Sequence, residues 1–344
     1  DRVSVLHLHP SQESFISASA DGSVSQWSIN EGRAVVRLQG HEAGVTAIST
    51  PKNPALNRIA TGDQRGEVWL WNEQRNAGDH WRASKTRIDH LAFSPQGNYL
   101  VTLPAGNREE GAIWKLASGA KPQNVMSLPP QVCVTRWEGQ GSELAMFALT
   151  KSGDYLRWSP RSGRAEPLAD LRTMLGSIKL QSADLHPDGH HILGLSKRGQ
   201  ALLINLEKKN AIPLINSTAI QKAKFVFDDG NDSEVNVILG GKQGKLWNWQ
   251  DGVLIEIGDI QGPVIGLTVS SDGSSFLSYS DALAQYWDRP LDQDSVYSRL
   301  RKRAKLCLHP RERMKRLDEP LDLAKERYQI CRDRVEQLAD QYTQ

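Results

Sequence analysis

Tryptophan sets a ruler along this chain. Ten tryptophans occur in 344 residues, and six of them, Trp27, Trp71, Trp114, Trp158, Trp249 and Trp287, each close a short strand-like run. Those runs read GSVSQW, GEVWLW, GAIW, GDYLRW, GKLWNW and ALAQYW, and Ile204 closes GQALLI in the one remaining slot. Successive anchors lie 44, 43, 44, 46, 45 and 38 residues apart, which makes seven units. A repeat of this length is one supersecondary unit that cannot bury its faces alone and must stack on its neighbours. Each unit opens with an apolar strand that often ends in a polar-Pro turn, as at Leu8-His9-Pro10, Phe93-Ser94-Pro95 and Leu185-His186-Pro187. A second strand, a tight Asp- or Gly-containing turn, the anchor strand, a Gly turn and a fourth strand follow. Four short strands per unit, with one large residue at a fixed place, predict an all-β, seven-bladed β-propeller. Each anchor removes on the order of 200 Å² from water between blades. Trp81 and Trp137 fall off the ruler; Trp81 lies in a polar stretch and is expected to be an exposed contact residue.

These residues resemble the WD-repeat β-propeller family over about residues 1–290. The eponymous dipeptide stands once, at Trp287-Asp288, and the family's Gly-His stands at Gly40-His41; Gly189-His190 falls in the wrong turn. The resemblance implies a hydrogen-bonded His, Ser or Thr, Asp and Trp in each blade. Ser17, Asp21 and Trp27 match in the first unit, where the His would precede Asp1. His41, Thr61 and Trp71 match in the second, where Arg65 takes the Asp position. No complete set is therefore expected. The last unit lacks its own fourth strand, since Trp287 is followed by Asp288-Arg289-Pro290. The expectation is that the chain is the C-terminal part of a longer protein whose segment before Asp1 supplies it, or that a partner supplies it.

Residues 291–344 read as a basic helical extension. From 299 onward there are 13 Lys or Arg against 8 Asp or Glu. Pro320 after Asp318 and Glu319 starts a helix. Leu321, Ala324, Tyr328, Cys331, Val335, Leu338 and Tyr342 then form one apolar stripe. Cys307-x-x-Pro310-x-x-Arg313 and the residues after it are similar to tails of bacterial multidomain signalling proteins that join WD repeats to STAND-type or caspase-like modules. That resemblance implies a signalling or defence context. Cys307 and Cys331 are either small buried hydrophobes or a disulfide across a helical hairpin.

Motifs for chemistry are sparse. The sequence has no G-x-x-x-x-G-K loop, G-x-S-x-G elbow, C-x-x-C or H-E-x-x-H. His186, His190 and His191 bracket Asp188 in a turn, but turn histidines beside Pro and Gly need no metal to explain them. No catalytic residue, cofactor or metal is expected. No apolar run is long enough to span a bilayer, and three cysteines in a chain this size suit a reduced, cytoplasmic compartment.

Charge sorts by propeller face although the net charge is only +2. Turns between second and third strands carry Arg65, Arg108, Lys151, Lys197, Arg198 and Lys242; turns between first and second strands carry Glu138, Glu143, Asp188, Asp228, Asp229, Asp232, Glu234 and Asp272. With the tail cluster Arg301, Lys302 and Arg303, the basic rim predicts capture of an acidic protein partner or an upstream effector domain through electrostatic steering. The function expected is therefore a non-catalytic scaffold, sensor or autoinhibitory module. Nucleic-acid or acidic-surface binding through the same cations is the alternative, and a propeller hydrolase is a third.

Overall fold

The computed structural model describes residues 3–11, 13–72, 77–106, 108–117, 121–215, 219–226, 235–250, 252–270, 273–281 and 283–288, together with 321, 322, 325 and 329. The chain divides into two compact units, Asp1–Asp288 and Arg289–Gln344. The first is a seven-bladed β-propeller. Its seven antiparallel sheets follow one another along the chain, six with four strands and the last with three among the described residues. The first strands are Val3–Leu8, Val45–Ser49, Ile88–Phe93, Val132–Glu138, Leu180–Leu185, Ile220–Val226 and Gly266–Val269. In the second unit, Leu321, Asp322, Lys325 and Gln329 are helical and exposed. The segment after Asp288, where no fourth strand is expected, the apolar stripe beyond Leu321, and Cys307 and Cys331 lie outside the described residues.

Period-two alternation turns each sheet into a two-faced layer, and the core forms where faces meet. Six apolar clusters lie between successive blades. Ile16, Val24, Ile59 and Trp71 join blades 1 and 2; Val226, Leu246, Val264 and Phe276 join blades 6 and 7. The seam between blades 7 and 1 is different: a cavity of about 220 Å³ remains there, lined by Leu6, Phe15, Trp27, Tyr279 and Leu283. The Leu6 backbone hydrogen-bonds the Tyr279 hydroxyl across this seam.

The anchor tryptophans do more than fill space. The Nε1 of Trp27, Trp71, Trp114 and Trp287 donates to Ser17, Thr61, Thr102 and Ser278 on the second strand, at 2.8–3.0 Å. Each hydroxyl sits diagonally across the strand pair, within reach of a long side chain. In blades 4, 5 and 6 the corresponding positions are Ala148, Gly194 and Leu239. Blade 5 has given up the tryptophan, and Ile204 packs there instead. Blade 4 has kept it, and the buried Trp158 Nε1 has no acceptor. Ala148→Ser should supply one and raise stability by about 1 kcal/mol, read from the midpoint of denaturant unfolding.

Blade 2 corrects one expectation, because its hydrogen-bonded set is complete. Asp63, not residue 65, supplies the acid. Trp71 Nε1 donates to Thr61 Oγ1 at 2.8 Å, Thr61 Oγ1 meets His41 Nε2 at 2.7 Å, and His41 Nδ1 meets Asp63 Oδ2 at 2.8 Å. The network assigns a neutral ring with its proton on Nδ1. Burial lowers the His41 pKa, against opposing pulls from Asp63. The other oxygen, Asp63 Oδ1, accepts the Arg65 and Glu67 backbone N–H groups and so shapes the following turn. Gly40 is required beside this set, since a Cβ there would lie 2.5 Å from the Trp69 ring.

Candidate functional site

First strands line the central channel, and second-to-third-strand turns surround one of its mouths. Pairing fixes this: Ile88 lies opposite Pro104, Val132 opposite Thr150, Leu180 opposite Ser196, Ile220 opposite Gly241 and Gly266 opposite Tyr279. The start of each first strand is thus level with the turn that ends the second. At this mouth lies a polar cavity of about 560 Å³, built from five consecutive blades, 3 to 7. Arg87, Asp89, Lys151, Lys222 and Lys224 give it its charge.

The expected basic rim is present around the cavity, with differences. Arg108, Lys197, Arg198 and Lys242 are exposed, and no carboxylate pairs with them among the described residues. Lys151 is half-buried and reaches the cavity itself. Arg65 is exposed but forms an ion pair with Glu42 at 3.1 Å. Trp81 does not stand free in solvent as expected. It lies in the fourth strand of blade 2, half-buried and edge-on to Trp114 at 5.5 Å, filling the gap to blade 3. Its polar surroundings concealed strand alternation, in which His80 and Arg82 face out and Trp81 faces in. Trp137, also off the ruler, ties blade 4 to blade 3 through Nε1 donating to Ala92 O. Arg301, Lys302 and Arg303 lie outside the described residues.

Residues missed by sorting the turns are those on strands. Arg87, Lys222 and Lys224 reach the mouth from the starts of first strands. Lys222 and Lys224 alternate in the run IQKAKFV, and both line the cavity from within the strand. Burial and the neighbouring Lys224 lower the Lys222 pKa, with Asp89 opposing. Cys133 also lines the cavity, but burial pushes its thiol up to about 12. It is a neutral thiol at physiological pH and a poor nucleophile.

The opposite face holds Glu143, Glu138 and Asp188; residues 228, 229, 232, 234 and 272 lie outside the described residues. Glu138 pairs with Arg136 at 3.3 Å, and its pKa is raised by burial despite that partner. His186, Asp188 and His191 bring three potential metal donors within 4.8 Å of one another. Hydrogen bonding argues against a metal there. The Lys208 backbone N–H holds Asn205 Oδ1, so Asn205 presents its NH₂ to His191 Nε2. That nitrogen accepts, the ring proton sits on Nδ1, and it is donated to Asp188 Oδ2 at 2.5 Å. A metal at Nδ1 would require the reverse tautomer. Burial acts to raise the Asp188 pKa, but bonds from His186, His191 and two backbone N–H groups hold the carboxyl well below the usual range. The group is a self-satisfied turn.

Comparison with known proteins bears on these features. The profile "WD domain, G-beta repeat" matches residues 32–72, the segment that carries the complete hydrogen-bonded set. Mitochondrial division protein 1 of Pyricularia oryzae is 30% identical over 122 residues, covering 34% of this chain and 18% of that protein. The Neurospora crassa protein of the same name is 26% identical over 118 residues, with the same two shares. The chain thus spans about a fifth of the length of those two relatives. Eukaryotic translation initiation factor 3 subunit I of Vanderwaltozyma polyspora is 22% identical over 296 residues, 76% of this chain and 82% of that protein. Among solved structures, the WD40 repeats of RRP9 superpose with a TM-score of 0.61 at 18% identity, covering 80% of this chain and 86% of that one. U3-55K superposes with a TM-score of 0.61 at 16% identity, covering 84% and 92%. These relatives do not support the bacterial signalling or defence context implied by the tail. Residues 32–72 are a WD repeat that spans the fourth strand of blade 1 and the first three strands of blade 2, in a seven-bladed propeller whose fold is shared with the WD40 repeats of RRP9.

Proposed function

We propose that residues 1–288 form a non-catalytic protein-interaction platform whose working face is the one that carries the second-to-third-strand turns. The observation that carries this reading is the charge arrangement. Lys197, Arg198 and Lys242 stand exposed around a cavity whose wall adds Lys151 and Lys222. On the opposite face, Asp188 and Glu138 are engaged by neighbouring histidines and an arginine. Exposed like charges around a concave mouth focus the field and speed capture of an acidic partner. The similarity to a protein named as a subunit of a larger initiation factor supports a role in assembly.

The reading assigns no reaction to the chain. Its partner is a protein surface rich in Asp and Glu. The test places photo-crosslinking groups at Lys197 and Lys242 on the rim and at Glu143 and Glu207 on the other face. Partner crosslinks should concentrate on the rim. Charge reversal at Lys151 and Lys242 together should weaken capture about tenfold or more at low salt, with the loss shrinking as salt rises. Capture unchanged by that double reversal would remove the proposal. Retention on heparin that survives it would point to nucleic acid through other cations.

A further inference from the structure

We propose that the channel mouth is a binding pocket for a phosphomonoester. The inference rests on the reading that this face is the working face, and it names a ligand chemistry that the rim alone does not. The cavity, about 560 Å³, is of a size common for small-ligand sites. Among the described residues one acid, Asp89, lines the cavity and a second, Asp184, lies on a first strand below it, and both are already matched. Asp89 Oδ1 accepts from Arg87 Nε at 2.7 Å. Asp184, deeper in the channel, accepts from Lys224 Nζ at 3.1 Å and from the Phe225 backbone at 3.0 Å. Lys151 and Lys222 are left facing the cavity with no carboxylate partner among the described residues. Lys222 also feels the like charge of Lys224, a repulsion that a bound anion would relieve.

Neutral donors complete the pocket, and their placement has a structural cause. In six blades the first strand carries a β-bulge at its second residue, namely Ser4, Thr46, Asp89, Cys133, Gln181 and Gln221. A bulge re-aims the side chain it carries. In blades 1 and 2 the bulged hydroxyl is a strut to the next blade: Ser4 donates to Val45 O and Thr46 to Ile88 O. In blades 5 and 6 the same position holds Gln181 and Gln221, which line the cavity and whose side chains make no hydrogen bond among the described residues. The cavity lining therefore offers two ammonium groups and two side-chain amides, with no unpaired acid among the described residues that line it. A carboxylate would match one lysine and leave the other. A phosphomonoester carries close to two negative charges at neutral pH and three strong acceptor oxygens, which suits both lysines and the amides. A phosphodiester, with one charge, suits it less.

The phosphate can be carried by a free small molecule or by a phosphorylated side chain of the partner, and the test separates these. Binding of phenyl phosphate and of a phosphoserine peptide to the full chain is followed by calorimetry, beside acetate and the unphosphorylated peptide. Phenyl phosphate is expected to bind and acetate to compete at least tenfold less well. A peptide much tighter than phenyl phosphate identifies a partner side chain as the source; equal affinity identifies a free ligand. Lys222→Gln and Lys151→Gln should each weaken phenyl phosphate about tenfold while the thermal midpoint stays within error. Gln181→Ala serves as a second, charge-neutral probe and should weaken it less. No phosphate binding at millimolar concentration, or equal binding of acetate, overturns the proposal. Lys242→Glu, outside the cavity, should reduce partner capture and leave phosphate binding intact, so that failure of the rim and failure of the pocket remain distinguishable.

Discussion

Asp63→Ala is expected to cost the propeller about 3–4 kcal/mol, against about 1 kcal/mol or less for Asp21→Ala at the comparable turn of blade 1. The difference follows from what each carboxylate holds. Asp21 is exposed and accepts the Ser23 N–H. Asp63 is 2% exposed and accepts from His41 Nδ1 and from the Arg65 and Glu67 backbone. Removing it strands a buried imidazole N–H and releases two turn amides, and each orphaned donor costs about 1–3 kcal/mol. The Trp71–Thr61–His41–Asp63 chain is directional, so its members should couple. A cycle of Asp63→Ala with Thr61→Val should show an interaction energy of about 1–2 kcal/mol. In thermal unfolding, Asp63→Ala should lower the midpoint by roughly 6–12 °C. If the Asp63 and Asp21 variants unfold at the same midpoint, the set adds nothing to blade 2 beyond its turn bonds.

That set also shows what the sequence could and could not reveal. The repeat was legible because one residue per unit recurs at nearly fixed spacing, and packing against the preceding blade tolerates little else: a Cβ at Gly258 would lie 2.7 Å from the Trp287 ring. The acid of blade 2 was hidden because matching to the family's pattern put it at the turn, on Arg65. Strand periodicity would have found it, since Asp63 stands two residues after Thr61 on the same face of one strand. The channel mouth was half legible. Turn cations could be sorted by face because turns alternate between the two ends. Lys222 and Lys224 could not be placed that way, because they reach the mouth from within a strand. The bulges that aim Gln181 and Gln221 leave no mark in composition or period: one extra residue in a short strand looks like ordinary variation in unit length. Trp81 misled for a related reason, since an outer strand with one buried side chain among polar neighbours reads as a loop.

Acidification from pH 7 to about pH 4.5 is expected to destabilise the propeller by about 2–4 kcal/mol, well before carboxylates dominate. The cause is histidines kept neutral inside the fold. Burial, with weaker repulsion from His9 and Lys224, lowers the His7 pKa to about 4. Burial and Lys224, opposed by Asp184, lower that of His90 to about 4, and burial lowers that of His41. An unfolded histidine titrates near 6.5. Between the two values the unfolded chain binds the proton and the folded chain does not, so stability falls as pH drops below about 6.5 and levels near 4. Full linkage would give about 3 kcal/mol for each of His7 and His90. Both rings are half-buried beside a channel that can admit water, which reduces the figure to about 1–2 kcal/mol each. Glu138 acts in the opposite sense, because its raised pKa favours proton uptake by the folded state. The depressed carboxyls of Asp154 and Asp188 contribute stability that is lost only as pH falls below about 4. Denaturant midpoints measured from pH 7.5 to 4.5 should therefore slope downward through pH 6. A variant carrying His7→Gln and His90→Gln should lose most of that slope while remaining folded at pH 7, because glutamine keeps a polar partner for Thr50 and Thr135. A wild-type profile that stays flat from pH 7 to 5 would mean that the channel histidines are solvated enough to keep their ordinary titration.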